Sequence, residues 1–273
     1  VRRGDRWLLV LPLLLTAVGI VMVYSSSSII AMTRYDDANY FLTRQLVRAA
    51  LGAMVLVLAT RVNLRRLERA APLIMGVAAS LLLLVAVVGQ VSHGAARWLR
   101  LGAWTIQPTD LGRLAMVIFM AWWLARRPPA EAGLMKGVIQ PLVAVGLVAG
   151  LILLQPNLSS AALLAGTGLA MVFLAGARLV HLAVPVAAGA AACAVVLQAH
   201  PYMMRRLHTF VRFVVTGELD GRGAGWQLDQ SLIAIGSGGW IGRGIGEGMQ
   251  KYFFLPEAHT DFIFSIVAEE TGF

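Results

Sequence analysis

Residues 137–177 contain no Asp, Glu, Lys or Arg, and this uncharged run is broken near its middle by Gln155-Pro156-Asn157. A helix that crosses about 30 Å of hydrocarbon uses about 20 residues, and proline interrupts a helix interior because it has no N–H to give. The run therefore reads as two membrane spans joined by a tight turn. Composition agrees: 58% of the 273 residues are apolar and 14% are charged, against about 25% charged in soluble domains. With a mean hydropathy of +0.74, a water-soluble globule, a disordered chain and a disulfide scaffold are all excluded. Cys193 is the only cysteine and says nothing of redox compartment.

Other apolar stretches extend the pattern. Spans are expected near 7–30, 41–60, 71–91, 108–124, 137–154, 158–177 and 179–199, with an eighth beginning near 260 and running to 273 at about half the needed length. The first is too long for a signal-peptide core of about 7–15 residues. A polar, Gly- and Arg-rich loop fills 200–259. The expected fold class is all-α: a polytopic helical membrane protein, a single transmembrane domain over 1–273, truncated at its C-terminus.

The net charge of +9 tests the orientation. With a cytoplasmic N-terminus, the inner segments hold Arg2, Arg3, Arg6, Arg61, Arg65, Arg66, Arg69, Arg126, Arg127, Lys136 and Arg178, eleven cations. The short outer segments and adjoining helix ends hold Arg34, Arg44, Arg48, Arg97, Arg100 and Arg113, six. Eleven against six follows the excess of basic residues on the cytoplasmic side. The long loop then adds Arg205, Arg206, Arg212, Arg222, Arg243 and Lys251 to the outer side, bringing it to twelve. Such an outer cluster is expected where cations face an anionic ligand.

Motif by motif, several chemistries drop out. The glycines of 236–248 fit neither the G-x-G-x-x-G spacing nor a P-loop, so they are expected to form a close-packed re-entrant segment in which backbone approaches backbone. His93, His181, His200, His208 and His259 lack metal-ligand spacing, and no metal site is expected. Asp110 and Arg113 stand i, i+3 on a helix and can pair locally; alternatively Arg97 and Arg113 point into a cavity. Glu257, His259 and Asp261 cluster where the loop enters the eighth span. A carboxylate there can be a base, an ion site or a helix cap.

Three stretches together are specific. Arg97-Trp98 followed by Gln107-Pro108-Thr109-Asp110-Leu111, then Gln230-Ser231 leading to Gly236 and Gly239, then Leu255-Pro256-Glu257-Ala258-His259-Thr260-Asp261-Phe262, resemble the SEDS family (shape, elongation, division and sporulation) along the whole chain. That family comprises ten-helix membrane glycosyltransferases that polymerise lipid II into glycan strands. Gln250-Lys251 and Ala258 are closer to its division and sporulation branch, FtsW and its relatives. Arg113 stands where a Lys is usual, and Asn157 stands where the family commonly has Asp, so no carboxylate is available at that position.

The resemblance implies a catalytic role for Asp261 as the base that takes the acceptor hydroxyl proton. Arg97, Arg205, Arg206 and Lys251 are the cations expected to hold the lipid pyrophosphate, since guanidinium forks suit phosphate oxygens. Glu257, His259, Gln155, Gln230 and Ser231 complete the expected substrate-binding set. The implied setting is the outer face of a bacterial cytoplasmic membrane, with a class B penicillin-binding protein and other division or elongation proteins as partners and no nucleic acid. A divalent cation could assist the pyrophosphate. The alternative is a lipid II flippase, which needs the same spans and cations but no outward carboxylate.

Overall fold

The computed structural model describes residues 7–88, 90–92, 95–101, 104–155, 157–199, 201–219 and 224–272. Arg2, Arg3, Arg6, His93, Pro156, His200 and Arg222 lie outside the described residues, as do the side chains of Arg97, Trp98 and Arg100. The chain divides into two compact units, residues 62–199 and residues 1–61 with 200–273.

In the 62–199 unit, α3 (Leu64–Val88) leads through three short strands, β1 (Gln90–Ser92), β2 (Ala95–Leu101) and β3 (Trp104–Ile106), to α4 (Pro108–Arg126). The strands form an antiparallel meander in the order β1-β2-β3, with Val91 opposite Ala96 and Arg100 opposite Thr105. Pro108 occupies the first turn of α4, where its missing N–H costs nothing. A short α5 (Pro129–Leu134), a π-helical turn (Met135–Ile139), α6 (Gln140–Leu153), α7 (Leu158–Leu174) and α8 (Leu179–Ala199) follow. The uncharged run thus forms two helices, α6 ending at Leu153 and α7 beginning at Leu158. Asn157 caps α7: its side-chain oxygen accepts the Ser160 N–H at 3.3 Å, satisfying one of the unpaired donors of the first turn. Leu82, Met116, Met120, Val145, Ile152 and Leu164 form the centre of the core that joins α3, α4, α6 and α7.

In the other unit, α1 (Trp7–Tyr35) and α2 (Tyr40–Ala59) make a hairpin, and α9 (Pro201–Thr216), α10 (Ala224–Gly238) and α11 (Ile263–Thr271) follow in the later segment. The hairpin corner is fixed by the backbone N–H of Asn39 donating to Asp37 Oδ1 at 2.9 Å. Across it the Tyr35 and Tyr40 rings stack with centroids 3.6 Å apart, and Arg44 lies over Tyr40 at 3.9 Å.

Among the described residues, five helices are long and apolar enough to cross a membrane, at Leu9–Tyr35, Tyr40–Ala59, Leu64–Val87, Pro129–Leu153 and Leu179–Ala199. α2 buries no residue at all, and Leu46, Val47, Met54 and Val55 stand exposed along it. Such a surface suits lipid rather than water.

Three boundaries differ from the expectations. The third helix begins at Leu64 rather than near 71, because Arg65, Arg66 and Arg69 are good helix formers that extend an apolar span beyond the hydrocarbon. The stretch 200–259 is not all loop, since it holds α9 and α10. Met203, Leu207, Phe210, Val211 and Val214 recur at helical spacing along α9, but the arginines between them hide that period from average hydropathy. Finally, α11 starts at Ile263, so residues 260–262 form a turn that presents the helix.

Candidate active site

The segment 239–262 between α10 and α11 is built on close backbone contact. A Cβ on Gly238 would fall 2.1 Å from the Ala268 carbonyl oxygen, and one on Gly242, at φ +78°, would fall 2.3 Å from that of Glu270. Only glycine fits at either place. The approach lets the N–H groups of Arg243 and Gly244 donate to the Glu269 and Glu270 carbonyls, both at 3.0 Å, which satisfies acceptors that a helix C-terminus leaves open.

The segment is held from inside by two adjacent carboxylates. Glu269 is buried and accepts the backbone N–H of Met249 at 2.8 Å and that of Gln250 at 3.2 Å. Glu270, 1% exposed, pairs with Lys251 Nζ at 2.8 Å and accepts the Ser25 hydroxyl at 2.7 Å. Downstream, Leu255 and Ala258 bury against Ile266 of α11, and the Leu255 N–H donates to the Gln250 carbonyl at 3.0 Å.

The last turn carries Glu257, His259 and Asp261. Glu257 adopts φ +55°, an uncommon conformation for a residue with a Cβ. Its carbonyl accepts the Thr260 and Phe262 N–H groups at 3.1 and 3.2 Å, and its carboxylate accepts the Thr260 hydroxyl at 2.7 Å. His259 is half-buried, with its ring 5.1 Å from that of Phe41 on α2. Burial lowers the His259 pKa from its ordinary 6.5; Glu257 opposes this and Arg34 reinforces it. Asp261 is exposed, and among the described residues its carboxylate has no hydrogen-bond or ion-pair partner.

Glu257, His259 and Asp261 therefore share one turn, as expected. Lys251 does not join them as an open cation. An ammonium has three N–H donors, and those of Lys251 go to Glu270, the Gly246 carbonyl and the Ser25 hydroxyl. A cavity of about 280 Å³ borders Tyr24, Ser25, Ser28, Lys251 and Tyr252, but Lys251 has no donor left to offer into it. Lys251 is thus committed to internal contacts rather than standing as an open cation.

Three further expected residues are buried. Gln155 is 1% exposed; its amide donates to the Leu82 carbonyl at 3.1 Å and its oxygen accepts the Thr109 hydroxyl at 3.4 Å. It braces α3, α4 and the α6–α7 turn. Ser231 bonds Ser265 at 2.7 Å between α10 and α11, and Gln230 beside it is buried. Arg205 and Arg206 are exposed on α9. Arg97 lies in β2, its side chain outside the description. Arg113 forms a local ion pair with Asp110. Among the described residues no group of three or more His, Cys, Asp or Glu could hold a metal ion.

Ser25, Glu269 and Glu270 were not anticipated. Two consecutive carboxylates inside an apolar helix were the available signal, because ionisable groups at membrane depth are costly and kept for a reason.

Comparison with known proteins places this geometry. The family model for cell cycle proteins of the FtsW, RodA and SpoVE type matches residues 5–273. The chain belongs to this family. As an FtsW/RodA/SpoVE protein it is a multi-pass membrane protein with a helical fold. It is 38% identical to a probable peptidoglycan glycosyltransferase FtsW from Trichlorobacter lovleyi, over 98% of this chain and 70% of the relative. It is 34% identical to the stage V sporulation protein E of Bacillus subtilis, over 98% of this chain and 73% of that protein. Among solved structures, a chain of a peptidoglycan synthase complex, described as coordinating polymerization and crosslinking, superposes with a TM-score of 0.69 at 28% identity, covering all of this chain and 73% of its own. The rod shape determining protein RodA of Thermus thermophilus gives 0.65 at 28% identity, covering all of this chain and 69% of its own.

Proposed function

We propose that this FtsW/RodA/SpoVE protein is a peptidoglycan glycosyltransferase that polymerises lipid II at the outer face of the bacterial cytoplasmic membrane. The observation that carries the reading is Asp261, an exposed carboxylate without a partner among the described residues, on a turn whose backbone is closed by hydrogen bonds to the Glu257 carbonyl.

In the reaction an acceptor sugar hydroxyl attacks the anomeric carbon of a donor sugar. The new glycosidic bond forms as the bond to the lipid pyrophosphate breaks. Asp261 takes the hydroxyl proton, a task for a base within hydrogen-bond reach. The negative charge that develops on the departing pyrophosphate needs cations, and the exposed Arg205 and Arg206 supply them. A single displacement inverts the anomeric carbon, with Asp261 on the face opposite the leaving group. His259 and Glu257 shape the turn that presents Asp261.

The N-terminus faces the cytoplasm in this reading, and the 200–262 segment lies outside. Arg205 and Arg206 of that segment then serve the substrate, while the cations at 61–69, 126–136 and 178 anchor the cytoplasmic side. A class B penicillin-binding protein is the partner that crosslinks the product.

The test uses full-length protein purified in detergent with lipid II as the only substrate. Wild-type protein, alone or with its partner, forms glycan polymer, and Asp261→Asn slows polymerisation by ~100- to 10,000-fold, the usual worth of a general base. Polymer made in detergent also separates an enzyme from a flippase, since nothing there has to cross a bilayer. Undiminished polymer from Asp261→Asn would remove the base assignment.

A further inference from the structure

Lys251, Glu270 and Ser25 come from three separate parts of the chain, the turn segment, α11 and α1. The pairs Ser25–Glu270 and Lys251–Ser25 are 245 and 226 residues apart in sequence. All three side chains are buried. The hydrogen-bonding closes on itself: Lys251 donates to Glu270 and Ser25, and Ser25 donates onward to Glu270. The remaining Lys251 donor takes the Gly246 carbonyl.

Beside this triad, Glu269 holds the next turn of the same segment through the Met249 and Gln250 amides. Gly248 makes room for both carboxylates, since a Cβ there would sit 3.0 Å from Glu269 Oε2 and 3.1 Å from Glu270 Oε1. From Gln250 the chain passes directly to Leu255 and Ala258 on Ile266, and then to Asp261. Stability alone does not account for a buried ion pair in this place. Desolvating two charges offsets most of their attraction, and an apolar pair of similar volume often does as well. What charges add is direction: each bond fixes an angle and a register, which apolar packing leaves looser.

We propose that the Lys251–Glu270–Ser25 triad is a positioning device that locks the 246–251 turn to α1 and α11 and so fixes where Asp261 stands. Lys251 and Glu270 are positioning residues, not groups that touch substrate. The proposal rests on the glycosyltransferase reading for its kinetic outcome only.

The experiment compares full-length wild-type protein, Ser25→Ala and the double variant Lys251→Met/Glu270→Met in detergent. Melting temperature, backbone hydrogen exchange over 249–262, and kcat and KM for lipid II are measured for each. The double variant removes both charges together, so no unpaired buried charge remains. Both variants are expected to melt within a few degrees of wild type, roughly as replacement of a buried pair by apolar residues allows. Exchange over 249–262 rises. By the arithmetic of transition-state positioning, kcat falls about tenfold or more in the double variant and about threefold in Ser25→Ala, while KM changes less than about twofold. Unchanged kcat and unchanged exchange would make the triad plain packing and overturn the proposal. A KM raised about tenfold at constant kcat would make Lys251 a substrate ligand and overturn it equally. If the double variant does not fold, Ser25→Ala decides by the same two measurements. If wild-type protein makes no polymer, the glycosyltransferase reading fails, and hydrogen exchange still decides whether the triad orders the turn.

Discussion

Two of the polar interruptions in this apolar chain use their polar groups in opposite ways. At 154–157 the interruption is a turn between α6 and α7, and every polar side chain described there is engaged internally: Gln155 with Leu82 and Thr109, Asn157 with the Ser160 amide. At 239–262 most polar groups are engaged as well, through Glu269, Glu270, Lys251 and Ser25. That segment differs in ending on Asp261, exposed and without a described partner. A polar break in a membrane bundle is therefore not itself a sign of chemistry. What sets the second break apart in the proposed reaction is the exposed Asp261 carboxylate at its end.

The contrast breaks most readily at Asp261. Asp261→Asn is expected to remove ~100- to 10,000-fold of the polymerisation rate with no change in melting temperature, since an exposed, unpaired carboxylate supports no other group. Gln155→Ala should do the reverse. Leaving the buried Thr109 hydroxyl without that acceptor costs about 1–3 kcal/mol, read as a lower melting temperature, while KM for lipid II stays at the wild-type value. A raised KM in Gln155→Ala at full stability would put the two breaks back in one class.

The spans at 137–177 and 179–199 were legible because long apolar runs and a central proline leave helical physics little choice. Asp261 was legible through a specific motif. The direction in which Lys251 points was not. A lone lysine near an expected anion invites pairing with that anion, whereas its partner is Glu270, nineteen positions on, in a helix whose acids had no evident task. The same blindness hid α9, where cations interleave with an apolar stripe. Sequence reveals which charges exist, and packing decides which remain available to a ligand.

Asn157 sharpens the comparison at smaller scale. If its work is capping α7, Asn157→Ala costs ~0.5–2 kcal/mol, the usual range for losing an N-cap, and Asn157→Ser restores most of it. The measurement is the melting temperature of the three proteins in detergent, with polymerisation per folded molecule unchanged. A loss of rate that Ser does not recover would give this turn a role in the reaction.

The smallest effect is expected at His259, the half-buried group of the 257–262 turn. Its folded pKa lies below the ordinary 6.5 because burial disfavours the imidazolium. Below that ordinary value the unfolded chain binds a proton that the folded chain resists, so folding is penalised as pH falls. Above about pH 7 both states are neutral and the group contributes no pH dependence. Stability should therefore decline from about pH 6.5 downward and level off once the folded imidazole is itself protonated. His259 is only half-buried, so solvent keeps the slope shallow. Replacing His259 with Phe keeps an aromatic partner for Phe41 and removes the titration. The difference in melting temperature between wild type and His259→Phe should be constant above pH 7 and grow as the pH is lowered to 5. A difference that shrinks instead would mean that the imidazolium is the form the fold prefers, paired with Glu257, and would move His259 from the packed side of the turn to its charged side.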